Sequence, residues 1–271
     1  MNNQDNNAIH TRLDTATQII REAGALGLSY FRQLATLDIE TKSNGQDVVS
    51  IADQKVEKLL RERVSAAYPD DDFLGEEYGL NEGSSGFTWV VDPIDGTSCF
   101  IHGQRSWCVA IALVHAARTV AGLIYDPNAD ELFSAIEGEG ARLNGEPISV
   151  DLHTDLEHGL TSIGANYRVE PHLISGFIHE LLQTGGMFVR SGSGALSLAH
   201  VACGRLAAYY EPHMNAWDCI AAQCIIREAG GWTNDFFAEG SLTDGAPVIG
   251  CAPQLREPIL ALISKVAGAT S

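Results

Sequence analysis

The chain has 271 residues, 45% of them hydrophobic, with 35 acidic against 17 basic side chains and a formal net charge of −18. That length can bury one large core or two closely packed halves. The charge argues against a nucleic-acid surface, which needs a basic patch, and leaves an anionic small molecule open where metal ions invert the local field.

The first residues, MNNQDNNAIHTRLDT, are polar and lack the apolar core of a signal peptide. No apolar run approaches the ~20 residues of a membrane span. A cytoplasmic protein without membrane contact is therefore expected. Six cysteines (99, 108, 203, 219, 224 and 251) include no CxxC pair, so they read as free thiols in a reducing compartment.

Residues 8–33 read as a helix through Ile19, Ile20, Ala23, Leu26 and Phe31. A clearer helix covers 51–67, where Ile51, Val56, Leu59, Leu60 and Val64 recur at spacings of three to five. Ser50 and Asp53 supply its start signal. Phe73-Leu74 is a strand stub leading into GEEYG. The runs 88–92, 107–114, 119–125 and 131–136 read as adjacent antiparallel strands, followed by a hairpin at Asn144-Gly145. Beyond about residue 150 the pattern changes: helix 171–183, strand 187–190, helix 194–203, strand 206–211, helix 216–229 ending at Gly230-Gly231, strand 247–250 and helix 253–267. The chain thus divides into an α+β half, 1–150, and a layered α/β half, 151–271.

One stretch stands out. In WVVDPIDGTSCF, residues 89–100, an apolar strand runs into Asp92 and Asp95 with Pro93 between them. Asp, Pro and Gly also build ordinary turns, so a plain turn is the competing reading. Other apolar elements end in acids too: Glu76 and Glu77 follow Phe73-Leu74, Asp218 opens the helix at 216, and Asp47 precedes the helix at 51. Hard cations such as Mg²⁺ take oxygen ligands of this kind. Gly96 would let the backbone approach a phosphate at the start of a short helix over 96–101, and the Thr97 hydroxyl could position a water. Together these residues suggest metal-assisted phosphate chemistry in which two metals brace the attacking and leaving oxygens. Neither a GxxxxGK[ST] loop nor a G-x-S-x-G elbow nor HExxH occurs, and RSGSGAL at 190–196 only imitates a phosphate loop.

These motifs resemble the inositol monophosphatase family of lithium-sensitive, magnesium-dependent phosphatases. WVVDPIDGTSCF follows the pattern W-x-x-D-P-[IL]-D-G-T-x-N-[FY], and WDCIAAQCIIREAGG (217–231) follows W-D-x-x-A-x-x-x-[IL]-[IV]-x-E-A-G-G. GEEYG carries the family's G-E-E, and KSNGQDVVSIAD (42–53) its K-x(4)-D-x-V-T-x-x-D. The resemblance covers nearly the whole chain. It implies an α/β (α+β) fold, a layered α/β/α/β/α sandwich of the inositol monophosphatase and fructose-1,6-bisphosphatase type, and a homodimer.

It also implies two or three Mg²⁺ ions per site, held by Glu76, Asp92, the Ile94 carbonyl, Asp95 and Asp218. Thr97, with Asp47 or Glu76, would activate water. Gly96 and Thr97 amides would hold phosphate. Gly192, Ser193, Gly194, Glu211 and Lys42 would contact the substrate. Departures are Cys99 for the usual Asn, Ser50 for Thr, Gly194 for Ala, Ser197 for Asp or Asn, and Ala165 at a position that often carries a polar contact. They cluster where substrate is recognised. The expected activity is a phosphomonoesterase acting on a small phosphorylated polyol or sugar, inositol 1-phosphate first. Histidinol phosphate, fructose 1,6-bisphosphate and adenosine 3′,5′-bisphosphate remain open. The alternative of another class is a regulatory protein-binding member, including partners of the transcription machinery; intact metal-ligand positions favour the enzyme.

Overall fold

The computed structural model describes residues 3–34, 39–41 and 48–268. Lys42 and Asp47 lie outside the described residues. Five layers stack in the order helices, sheet, helices, sheet, helices.

The outer pair is α1 (Asn3–Phe31) and α2 (Ile51–Ala67), joined through the short antiparallel strands β1 (Ile39–Thr41) and β2 (Val48–Ser50). Next comes an eight-stranded sheet built from β3 (Asp72–Gly75), β4 (Gly79–Asn81), β5 (Phe87–Asp95), β6 (Cys108–His115), β7 (Arg118–Asp126), β8 (Glu131–Ile136), β9 (Ala141–Leu143) and β10 (Glu146–Ile148). β5 to β10 form an antiparallel meander, while β3 runs parallel to β5. Asn144 and Gly145 both have positive φ, as a two-residue hairpin of this twist requires.

The strands of this sheet are apolar without alternation because both faces are covered. Val91, Ile111, Leu113 and Leu123 pack toward Ile20, Val56 and Leu60 of α1 and α2. Val90, Ala110, Ala112 and Ile124 face the opposite way, into a cluster that includes α5 (Gly194–Ala202) and α6 (Ala216–Glu228). Small side chains on that face let α6 come close. A Cβ on Gly122 of β7 would stand 2.3 Å from the Ala221 carbonyl oxygen.

Beyond α5 and α6 lies a mixed five-stranded sheet in the order β12-β11-β13-β15-β14. It comprises β11 (Leu160–Ile163), β12 (Met187–Val189), β13 (Ala208–Met214), β14 (Trp232–Thr233) and β15 (Ala246–Cys251). α4 (Pro171–Gln183) and α8 (Arg256–Gly268) close the stack, with Phe177, Leu181, Ile259 and Leu262 turned inward. Two short helices, α3 (Thr97–Ile101) and α7 (Phe236–Glu239), complete the set.

The helices expected over 51–67 and 171–183 have those bounds. The first helix begins five residues earlier than its apolar stripe indicated, and the last opens as a 3-10 turn at Pro253–Leu255 before α8. The short elements β1, β2, β4, β11, β14 and α7 fall outside the expected set. Each is two to four residues long, too short for any periodicity to register. All six cysteines are free. No helix among the described residues is long and apolar enough to cross a membrane.

Candidate active site

Residues three apart on a regular strand point to opposite faces. Asp92 and Asp95 nevertheless converge, because β5 is irregular between them. Asp92 pairs with Ala110 and Asp95 with Cys108, so three steps on β5 are matched by two on β6. This is a bulge, which re-aims a side chain at the end of a strand. The extra step falls on Pro93, which has no N–H to donate, and on Ile94, whose side chain is fully buried. The Ile94 N–H donates to Asp92 Oδ1 at 2.9 Å. The plain-turn reading of DPIDG therefore fails: all nine residues from Phe87 to Asp95 belong to one strand.

Asp218 arrives from the other half of the chain. It sits in the first turn of α6, where its Oδ2 accepts the Asn215 N–H at 3.2 Å. A carboxylate oxygen from each of Asp92, Asp95 and Asp218 lies within 4.8 Å of the others. Burial, then the charges of Glu76, Asp95 and Asp218, push the Asp92 carboxyl well above its ordinary value. Burial and the Asp95 charge push Asp218 up to about 7. Asp95 is also raised by burial, although the Ser193 hydroxyl and the amides of Ala195 and Gly194 oppose the shift. Hard oxygen donors crowded together at the end of a cavity are what a divalent cation of the Mg²⁺ type needs, and its charge would reverse these shifts. The donor set therefore fits the expected metal. Glu76 lines the same cavity, at the turn between β3 and β4, as does Ile94.

Gly96 takes φ 97° and opens α3; a Cβ there would press to 2.7 Å from the Ser106 carbonyl oxygen. Thr97 follows. Its Oγ1 lies 3.0 Å from Asp53 Oδ1 and 3.0 Å from the Ile94 carbonyl oxygen. Asp53 is fully buried on α2. Sequence reading used Asp53 only as a helix start signal and paired Thr97 with Asp47 or Glu76; the structure brings Asp53 to Thr97. The signal was present, since the motif KSNGQDVVSIAD carries a second aspartate, Asp53, and it falls on the buried face of α2.

The segment 191–194 supports the site more than it faces outward. The Ser193 hydroxyl is buried, donates to Asp95 Oδ2 and accepts the Leu196 N–H at 3.2 Å, capping α5. The Ala195 N–H adds a bond to the same Asp95 oxygen at 2.8 Å. Gly192, at φ 95°, passes so near Cys99 that a Cβ would lie 2.3 Å from its sulfur. The Cys99 thiol donates to the Ser191 carbonyl at 3.3 Å. Ser197 Oγ donates to the Ser193 carbonyl at 2.7 Å. The departures at 99 and 197 thus both lie within this support.

Glu211, on β13, is buried and accepts from Tyr209 Oη at 2.5 Å and Asn166 Nδ2 at 2.9 Å. Burial raises its carboxyl, with Tyr209 and Asn166 acting against the rise. Neither Asn166 nor Tyr209 was singled out in the sequence, because a lone Asn or Tyr in an apolar setting has no distinguishing pattern. A cavity of about 460 Å³ joins these groups, lined among others by Glu76, Asp92, Thr97, Gly194, Glu211 and Asp218.

Comparison with known proteins agrees with this architecture. The protein named "Nus factor SuhB" of Xylella fastidiosa is 40% identical over 218 residues, covering 80% of this chain and 78% of its own. The "Inositol-1-monophosphatase" of Rhizobium meliloti is 36% identical over 261 residues, covering 91% and 95%. The crystal structure of the extragenic suppressor protein suhB from Bartonella henselae superposes with a TM-score of 0.88 at 31% identity, covering 94% of this chain and 99% of that one. Since the model of the inositol monophosphatase family matches residues 9–267, nearly the whole chain, this protein belongs to that family.

Proposed function

We propose that the protein is a Mg²⁺-dependent phosphomonoesterase acting on a small polyol or sugar phosphate, with inositol monophosphate the first substrate to try. The observation that carries this reading is the meeting of Asp92, Asp95 and Asp218, from two different sheets' surroundings, beside a hydroxyl already oriented by Asp53.

In this reading Glu76, Asp92, the Ile94 carbonyl, Asp95 and Asp218 hold the ions. Magnesium, when bound, supplies positive charge for the phosphoryl oxygens and acidifies water. Thr97 Oγ1 donates to Asp53 Oδ1 and uses its lone pair to receive a proton of the attacking water, aligning that water with phosphorus. Asp53 or Glu76 then takes the proton. The Gly96 and Thr97 amides hold phosphate oxygens, and Glu211, fixed by Tyr209 and Asn166, accepts a substrate hydroxyl. Gly194 and Ser193 wall the cavity behind Asp95. Inhibition by Li⁺, a homodimer and a cytoplasmic location belong to the same reading. The Xylella relative's name favours a second role beside this one, binding of a protein partner.

Phosphate release from inositol 1-phosphate, histidinol phosphate, fructose 1,6-bisphosphate and adenosine 3′,5′-bisphosphate, with and without Mg²⁺, tests the proposal. Mg²⁺-dependent turnover of one of them is expected. No release from any ester at any Mg²⁺ concentration would leave only the partner-binding role.

A further inference from the structure

The helix α2 carries two fully buried acids one turn apart, Asp53 and Glu57. Asp53 holds Thr97. Glu57 is not among the residues that line the cavity, yet a buried carboxylate persists only where its lone pairs are filled. They are filled by the turn that presents Glu76. Glu57 Oε2 accepts the Glu77 N–H at 2.6 Å, and Oε1 accepts the Tyr78 N–H at 3.2 Å. The Arg61 guanidinium pairs with Oε1 at 2.8 Å and also donates to the Gly79 carbonyl, at the far side of the same turn. Arg61 is itself fixed, its guanidinium 4.6 Å from the centre of the Phe73 ring. Gly75 completes the arrangement. A Cβ there would stand 2.2 Å from Glu57 Oε1, so only glycine lets β3 run this close to the carboxylate.

We propose that Glu57 and Arg61 are positioning residues which clamp the 76–79 turn and so set the affinity of the site for divalent cations without touching them. The inference rests on Glu76 being a metal ligand. A carboxylate ligand on a short turn loses conformational entropy when it binds an ion, and a clamp that orders the turn beforehand reduces that loss. Partners standing behind ligands in this way typically change metal affinity 10–100-fold. α2 would then serve as the common support of the site, one acid ordering the hydroxyl and the next ordering the ligand turn.

The test is Mn²⁺ binding to the full chain, read from the electron paramagnetic resonance signal of free Mn²⁺, alongside the thermal midpoint. Glu57→Gln keeps the size of the side chain, but its amide must set an N–H against a backbone N–H or against Arg61. It should weaken Mn²⁺ binding about 10-fold or more, and Glu57→Asp should do likewise by failing to reach the turn. Ile259→Ala, on the buried face of α8, should lower the midpoint with Mn²⁺ affinity intact. If Glu57→Gln yields no soluble protein, Gly75→Ala displaces the same carboxylate and carries the same expectation. Wild-type Mn²⁺ affinity in the Glu57→Gln or Gly75→Ala protein overturns the clamp. So does an equal loss in Ile259→Ala, which would make the effect one of stability. A wild-type chain that binds no Mn²⁺ overturns the metal reading itself and this inference with it.

Discussion

Thr97 shows how much a single hydroxyl is asked to do. With one proton and two acceptors at 3.0 Å, it can bond Asp53 while its lone pair remains available to a water. Thr97→Ala should lower kcat by roughly 10²-fold or more with a smaller change in KM, the scale of a positioned acid–base group. Thr97→Ser should lose far less; equal losses in steady-state assays of the two variants would assign Thr97 to packing. Asp92→Asn should abolish Mg²⁺-dependent turnover. The metal-free variant should melt no lower than wild type by calorimetry, because the change removes one of several acids that repel each other. Near-normal turnover in Mg²⁺ would contradict the assignment of Asp92 as ligand. Away from the site, Asp71 is buried and accepts Arg12 Nε and Nη2 at 2.8 Å, Ser85 Oγ at 2.6 Å and Trp89 Nε1 at 2.8 Å. Burial pushes its carboxyl up, but these bonds outweigh burial and hold it below the ordinary value. A depressed native pKa contributes stability above the unfolded value of about 3.9 and loses it as pH falls through the native one. Urea midpoints should therefore drop on acidification below about pH 4, and Asp71→Asn should flatten that limb while costing about 3 kcal/mol near neutrality, the scale of a broken buried pair.

Among the elements, α6 has the most to position, since its first turn carries Asp218 while its buried face fills the middle layer. Its distance from the first sheet is set by Gly122, where backbone meets backbone. Gly122→Ala should push α6 outward and cost about 1–3 kcal/mol, the range for overpacking, or roughly 2–4 °C in Tm for each kcal/mol at this size. It should also raise the Mg²⁺ concentration needed for half-maximal activity, because Asp218 moves with the helix. A drop in Tm with unaltered Mg²⁺ dependence would mean that α6 adjusts without shifting its N-terminus. The bulge in β5 acts at the same scale. Asp92 and Asp95 stood out as candidate site residues from composition and spacing, but their convergence did not, since regular strand geometry alone would have separated them.

At the level of the whole molecule, the two sheets fall on either side of residue 150, yet one cluster of buried side chains runs from Leu74 and Val90 through Leu198 and Ile220 to Val266. A core shared in this way predicts that the two regions unfold in one cooperative transition. Urea transitions followed by tryptophan fluorescence should coincide whether Trp89 and Trp107 or Trp217 and Trp232 are kept as the reporting pair, the others being replaced by Phe. Two separated transitions would show that the regions unfold independently.

By itself the sequence determined the long elements, the class of fold and the acids that end apolar runs. Helix periodicity over 51–67 and 171–183, the strand run from 88 to 136 and the motifs at 89–100 and 217–231 are local patterns, and local patterns survive in one dimension. Tertiary structure alone decided which acid serves which partner. Asp53 meets Thr97 and Glu57 meets the Glu76 turn only because α2 lies against the end of β5 and β3, and Ser193 meets Asp95 only because α5 is packed under the first sheet. Those pairings join residues from 20 to 98 positions apart in the chain. No spacing rule links such residues. They meet because burying both faces of the sheet forces the helices onto it, and each buried carboxylate must then find its donors among whatever backbone and side chains that packing brings within reach.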